Sequence, residues 1–355
     1  MTIAGFNISP GYLAWIIACA VALLFMGRLA PAAAFAIITF LPLFFMNDLP
    51  AYATWQEKFG KYIFLLICTL IFIFLITPVL VILPLSFNAE PYFSFTDGML
   101  ALDPNAYSLR WYEQIFTFGM QAPEATEGWW SDMWNNSTWV GAAWNSFKFA
   151  ILATILATFF GTLAALGLSR PEMPWRNAIT SLLISPMIVP LVITATGMFF
   201  FYAKKDFFPF FPDGLINEDL GIVLAHATLG VPFVIITVTA TLTGFDNSLI
   251  RASRSLGANG FTTFRRVIMP LIMPGMISGA LFAFITSLDE VVAVIFLADV
   301  TQVTIPRQMF SGIREQISPT ILAVASVLVA ISIALLTTLE LLRRRSERLR
   351  GLAPS

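Results

Sequence analysis

Charged groups make up 12% of this 355-residue chain, so the few that fall together carry the chemical argument. The first cluster is Leu249–Pro270, LIRASRSLGANGFTTFRRVIMP, a polar interruption between two apolar segments. Leu249, Ala252, Ser253 and Leu256 recur at i, i+3, i+4 and i+7, which predicts a short helix with one small, apolar face; Arg251 and Arg254 lie off that face. Gly257 suits the left-handed residue that ends such a helix, Ala258 follows it, and Thr262–Val267 restarts helical. A helix–Gly–helix of this kind offers a docking surface for a partner. The second cluster is Asp289-Glu290 within FAFITSLDEVVAVIFLA. A carboxylate inside an apolar span costs at least ~2.5–3.5 kcal/mol on insertion scales, so it should face a cavity or a partner rather than lipid. Counted from Pro270 at ~1.5 Å per residue, Asp289 lies roughly 28 Å along its helix, near the end remote from the arginines. It reads either as an interfacial acid on a tilted helix or as an anionic element in a pathway for a cationic or zwitterionic solute. Asn145, Phe284 and Ser287 join Asp289 and Glu290 as candidate pathway residues.

Other chemistries lack their residues. There is no G-x-x-x-x-G-K-[ST], so the chain has no P-loop with which to hydrolyse ATP, and no H-E-x-x-H, G-x-S-x-G or Cys/His cluster that would make a catalytic or metal site. The one histidine, His226, sits in an apolar segment and reads as a packed, hydrogen-bonded residue. Cys19 and Cys68 lie inside apolar runs as small hydrophobes. A net charge of −1 without a basic, aromatic-laced patch gives no support to nucleic-acid binding.

The elements that must position these clusters are membrane spans. The chain is 58% hydrophobic, and its charged fraction is half the roughly 25% of soluble domains. Apolar runs predict eight spans: Tyr12–Met26, Leu29–Met46, Tyr62–Leu85, Trp144–Leu168, Ala178–Tyr202 with a kink at SPMIVP, Leu220–Leu242, Leu271–Leu297 and Ile321–Leu342. The expected organisation is a two-helix extension and linker over 1–61, a six-span block over 62–342 with the polar loop at 245–270, and a basic tail over 343–355. The loop 86–140 holds seven acids against Arg110, and six tryptophans lie between Trp111 and Trp144, which suits an interfacial aromatic belt. Placing the tail inside puts thirteen lysines and arginines on the cytoplasmic side and five on the other, with both termini cytoplasmic.

Arg251-Ala252-Ser253, three residues, Gly257, nine residues and Val267-x-Met269-Pro270 resembles the EAA loop of binding-protein-dependent ABC importer permeases, E-A-A-x3-G-x9-I-x-L-P. Arg251, Ser253 and Met269 depart from that pattern, while the spacing from Ala252 through Gly257 to Pro270 is intact. SLDEVVAVIF and the following TIPRQMFSGIREQISPTILAVASVL are similar to segments of the polyamine permeases of the spermidine/putrescine C-subunit type. The resemblance implies an all-α, type I ABC importer permease fold of six core helices, here with two extra N-terminal ones, in a bacterial inner membrane. It implies that Leu249, Arg251, Ala252, Ser253, Leu256, Gly257 and Ala258 form the coupling loop seated on an ATPase. The implied partners are a second homologous permease chain, two ATPase subunits carrying ATP and Mg, and a periplasmic solute-binding protein; this chain would hold no cofactor of its own. An ion-coupled secondary transporter without an ATPase is the alternative.

Overall fold

The computed structural model describes residues 2–3, 6–7 and 54–349, apart from 171, 208–209, 244–245, 247 and 316–317. The spans expected at Tyr12–Met26 and Leu29–Met46 lie outside the described residues. Among the described residues, regular structure is helical apart from Thr2–Ile3 and Phe6–Asn7, which pair antiparallel, and an isolated bridge between Asn88 and Tyr107. The chain divides into two compact units, Met1–Pro84 and Leu85–Ser355.

In the first unit, α1 (Trp55–Leu85) opens on a reciprocal cap. The Thr54 N–H donates to the Glu57 carboxylate at 2.9 Å and the Glu57 N–H donates to the Thr54 hydroxyl at 3.4 Å. That cap starts the helix seven residues before the apolar run, which begins at Tyr62.

The second unit contains α2 (Arg110–Thr117), α3 (Trp129–Asn136), α4 (Thr138–Leu168), α5 (Arg176–Ile188), α6 (Leu191–Tyr202), α7 (Asp219–Thr243), α8 (Ser248–Ser255), α9 (Gly260–Leu288), α10 (Val292–Leu297), α11 (Ile305–Glu315) and α12 (Thr320–Leu349). Among the described residues, α1, α4, α7, α9 and Thr320–Thr338 of α12 are long and apolar enough to cross a membrane. The α5–α6 pair would be a sixth span, but its halves are bent by 104°. The expected kink is therefore a break. Val189 is extended (φ −69°, ψ 136°) because Pro190, the N-cap of α6, disfavours a helical residue before it.

Two further segments differ from the sequence expectation. The Leu271–Leu297 span ends at Leu288, and the chain restarts as α10 after Asp289–Val291. At the C-terminus, α12 continues through Arg343–Arg345, so the basic residues extend the last helix to Leu349.

Helix α7 is the centre of the bundle, packed between α4 and α9 along rows of small residues. A Cβ added to Gly161 of α4 would lie 2.6 Å from Val234 Cβ, and one added to Gly230 would lie 2.9 Å from Ala283 Cβ and 3.1 Å from Ala157 Cβ. Backbones approach this closely only where side chains are absent or minimal, which is how helices associate when lipid supplies no hydrophobic drive. Ala157, Ala165, Val234, Val238, Ile272 and Ala283 form the core cluster at this crossing.

The loop 86–140 is a folded cap. Asn88 is fully buried; its amide donates to the Tyr92 and Ser94 carbonyls, both at 3.1 Å, and its own carbonyl accepts the Trp111 indole N–H at 2.7 Å. The Tyr112 hydroxyl meets Ser86 and Ser326 at 2.7 Å each, and Thr320 donates to Gln114 at 2.7 Å, which ties α2 to α12. The tryptophans divide accordingly. Trp111 and Trp139 are buried, whereas Trp130, Trp134 and Trp144 are exposed and suit an interfacial belt.

Candidate functional site

The polar interruption forms a self-closed hairpin. Asp246 opens it: its carboxylate accepts the Ser248 N–H at 2.8 Å and the Ser248 hydroxyl at 2.5 Å. The Ser248 hydroxyl, then its N–H, and the nearby Arg251 charge hold the Asp246 carboxyl below the usual range. At the far end of α8, the Ala258 N–H donates to the Ser253 carbonyl at 3.1 Å and the Gly257 N–H to the Arg254 carbonyl at 2.9 Å. Together with φ +82° at Gly257 this is the paired-bond termination in which a left-handed glycine follows the cap. Asn259 then caps α9 by accepting the Thr262 N–H at 2.8 Å, and the Ser253 and Thr263 hydroxyls meet at 2.7 Å across the turn. Phe264–Ile268 is a π-helical turn carrying Arg265 and Arg266 on its exposed side.

Every coupling residue expected from the sequence falls on this hairpin. Leu249, Arg251, Ala252, Leu256 and Gly257 are exposed, with Leu256 88% accessible, while Ser253 and Ala258 are half-buried. The small, apolar face of α8 is thus uncovered within the chain. The Ser253–Thr263 bond escaped sequence reasoning because it joins residues ten positions apart through a turn. Asp246 and Asn259 were missed as well, although an Asp and an Asn two and three positions before their hydrogen-bond donors are ordinary cap signals.

The candidate pathway residues lie where α4 begins and α9 ends. Asn145 is a strap: its amide donates to the Thr301 carbonyl at 2.9 Å and the Val303 carbonyl at 3.1 Å. Phe284 packs its ring 6.2 Å from that of Phe147 on α4. Ser287 is buried and its hydroxyl sits 2.7 Å from His226 Nδ1, so the histidine is indeed packed and hydrogen-bonded. Asp289 is the exposed C-cap of α9. Glu290 is buried, and its Oε1 accepts the Ala293 N–H at 2.8 Å, which caps α10 and accounts for the restart of the helix there. The adjacent acids therefore differ: Glu290 is engaged in structure and Asp289 is available.

A neighbouring network was not foreseen. Lys148 Nζ lies 2.8 Å from Asp219 Oδ2, whose other oxygen accepts from Gln302 Nε2 at 2.8 Å; Gln302 also donates to the Asn217 carbonyl at 3.1 Å. With the Ser146 hydroxyl accepting the Ile305 N–H at 2.8 Å, it fastens the segment after α10 to the third turn of α4 and the start of α7. Its members are spread over some 160 positions of sequence, and no local pattern joins them. An apolar cavity of about 470 Å³ opens elsewhere, between α4, α5 and α7, lined by residues that include Phe160, Leu183, Pro186 and Val231.

Comparison with known proteins places this geometry among membrane transport components. Residues 157–349, which include the hairpin, match the family described as binding-protein-dependent transport system inner membrane component. The spermidine/putrescine transport system permease protein PotC of Haemophilus influenzae is 28% identical over 279 residues, 78% of this chain and 94% of that one. The putrescine transport system permease protein PotI of Escherichia coli K12 is 27% identical over 285 residues, 80% of this chain and 89% of its own. The sulfate transport system permease protein CysT of Salmonella typhimurium is 30% identical over 233 residues, 62% of this chain and 83% of its own. A crystal structure of a bacterial ABC transporter involved in the import of the acidic polysaccharide alginate aligns with a TM-score of 0.53 at 14% identity. It covers 81% of this chain and 97% of that one, a likeness of fold.

Proposed function

The chain belongs to the binding-protein-dependent transport system inner membrane components, and from that premise we propose that it moves a small organic cation of the polyamine class. It is the permease subunit of an ATP-driven importer, and the ion-coupled alternative is set aside. The observation that carries the solute class is likeness along most of the chain to permeases named for spermidine and putrescine. The exposed Asp289 at the mouth of the bundle agrees with a cation more than with the sulfate named for a third relative.

In this reading a second permease chain completes the pathway, a periplasmic binding protein delivers the solute, and two ATPase subunits hold ATP and Mg. One of the two ATPases seats on the exposed face of α8, with Ala252 and Leu256 as the apolar contacts and Arg251 where the family pattern has glutamate. Nucleotide-driven closure moves the hairpin as a lever, and the spans alternate between inward- and outward-facing states.

The test is uptake of radiolabelled putrescine by proteoliposomes carrying the complete transporter, with and without internal ATP. ATP-dependent accumulation is expected, together with its loss and the loss of ATPase co-purification in Ala252→Glu. Accumulation of sulfate but not putrescine would overturn the solute class, and normal uptake by well-expressed Ala252→Glu would overturn the docking role of α8.

A further inference from the structure

Helices α7 and α9 run antiparallel in one fixed register. Gly275 faces Thr237 and Thr241, Gly279 faces Val234 and Thr237, and Ala283 faces Gly230. Each step of four residues up α9 is matched by a step of about four back along α7. The next step brings Ser287 to His226, with 2.7 Å between Oγ and Nδ1. The lower rungs are van der Waals contacts between small groups, and the Thr237 and Thr241 hydroxyls there are spent on carbonyls of their own helix. Small-residue rows of this kind hold helices close through shape alone, with no directional bond between the two helices. A buried polar pair is directional, and its best-attested use is to set register.

The position of this pair matters for transmission. Helices α7 and α9 are the two arms that flank the α8 hairpin. His226 and Ser287 join them at the opposite end, one residue before α9 stops at Leu288 and two before the exposed Asp289. Both side chains are buried, His226 at 2% and Ser287 at 5% accessibility. His226 Nε2 is buried with no hydrogen-bond partner among the described residues, so the ring is held from one side only. A polar atom left unsatisfied in the core costs stability, so this histidine calls for an explanation beyond packing.

We propose that His226 and Ser287 are positioning residues whose hydrogen bond locks α7 and α9 in register, so that displacement of the α8 hairpin reaches the Asp289–Glu290 break undiminished. The inference rests on the reading of the chain as an ATP-driven permease. Without the bond, the small-residue rungs would let the arms slip, and ATP hydrolysis would proceed with less movement at the far end.

The experiment uses the assembled transporter in proteoliposomes and compares Ser287→Ala, His226→Leu and His226→Asn. Asn places an amide near the position of Nδ1 and dispenses with Nε2. Putrescine moved per ATP hydrolysed should fall about fivefold in Ser287→Ala and in His226→Leu, the factor that goes with one net hydrogen bond. The double variant should be no worse than either single one, and His226→Asn should restore the ratio. A ratio unchanged in Ser287→Ala, the milder substitution, would overturn the proposal, as would additive losses in the double variant. A second readout needs no solute: spin labels at Thr243→Cys and Val300→Cys, in a background lacking Cys19 and Cys68. A single distance in the parent should broaden in Ser287→Ala, with or without nucleotide. If the wild type moves no putrescine with ATP, the transport reading fails while the label distances still decide the register lock; identical distributions with and without Ser287 would refute it.

Discussion

Gly257 shows what one residue contributes to the hairpin. A Cβ at this position would meet nothing within 4 Å, so the demand for glycine is one of backbone conformation, set by φ +82°. Gly257→Asn should therefore keep coupling, since Asn enters the left-handed region at low cost. Gly257→Ala should cost about 1–2 kcal/mol of local stability. Gly257→Pro cannot reach a positive φ and loses the N–H that binds Arg254, so uptake per ATP should collapse. Co-purification of the ATPase and transport in the three variants provide the check. At the other end of the bundle, Asp289→Asn should lower putrescine uptake more than it lowers expression: among the described residues the exposed carboxylate holds no hydrogen bond, and only the backbone N–H is engaged, donating to the Ile285 carbonyl. Unchanged transport kinetics would return it to an interfacial acid. Glu290→Gln should instead act on stability, through the N-terminus of α10. The sequence showed two adjacent acids in an apolar run and could not separate them; the difference arises because the helix ends between Ser287 and Val292, which depends on what each carboxylate reaches in three dimensions.

At the scale of elements, the glycines along the α4–α7–α9 seam and those elsewhere make opposite predictions. Gly275 faces α7 so closely that an added Cβ would fall 2.8 Å from the Thr237 carbonyl oxygen, whereas Gly197 on α6 has nothing within 4 Å. Gly275→Ala should destabilise the bundle by about 1–3 kcal/mol through overpacking. Gly197→Ala should be neutral or stabilising by up to ~1 kcal/mol through helix propensity. Thermal unfolding of the purified complex in detergent, read for both variants side by side, distinguishes them. Apolar runs located the described spans, because lipid-facing and core-facing positions are both apolar in a membrane helix. Their ends were less legible. Thr54–Glu57 extends α1 outward, Glu290 cuts the Leu271–Leu297 run, and α12 carries its basic residues onward as helix. Pro186 and Pro190 marked the weak point between α5 and α6, but a proline's missing N–H does not encode a bend of 104°; that angle is set by what the two halves pack against.

For the molecule as a whole, we propose from the lysine and arginine bias that the α8 hairpin faces the cytoplasm and the loop 86–140 the opposite side. Single cysteines at Leu256 and Trp130, both exposed, should label from opposite sides of sealed right-side-out vesicles: Trp130→Cys at once with an impermeant maleimide, Leu256→Cys only after permeabilisation. Labelling of both from one side would overturn the assigned orientation. The hairpin also has a consequence for how such systems diversify. Its fold is closed by its own bonds, from the Asp246 cap through the Gly257 turn to the Ser253–Thr263 pair and the Asn259 cap. In the proposed docking role it is an interchangeable adaptor, whose outward residues should be open to change without disturbing the arms that carry it. Arg251 then reads as a change of address. On the proposed docking of an ATPase to α8, exchanging residues 246–263 as one piece should re-pair the transporter with a different motor and leave the conduit it serves unchanged.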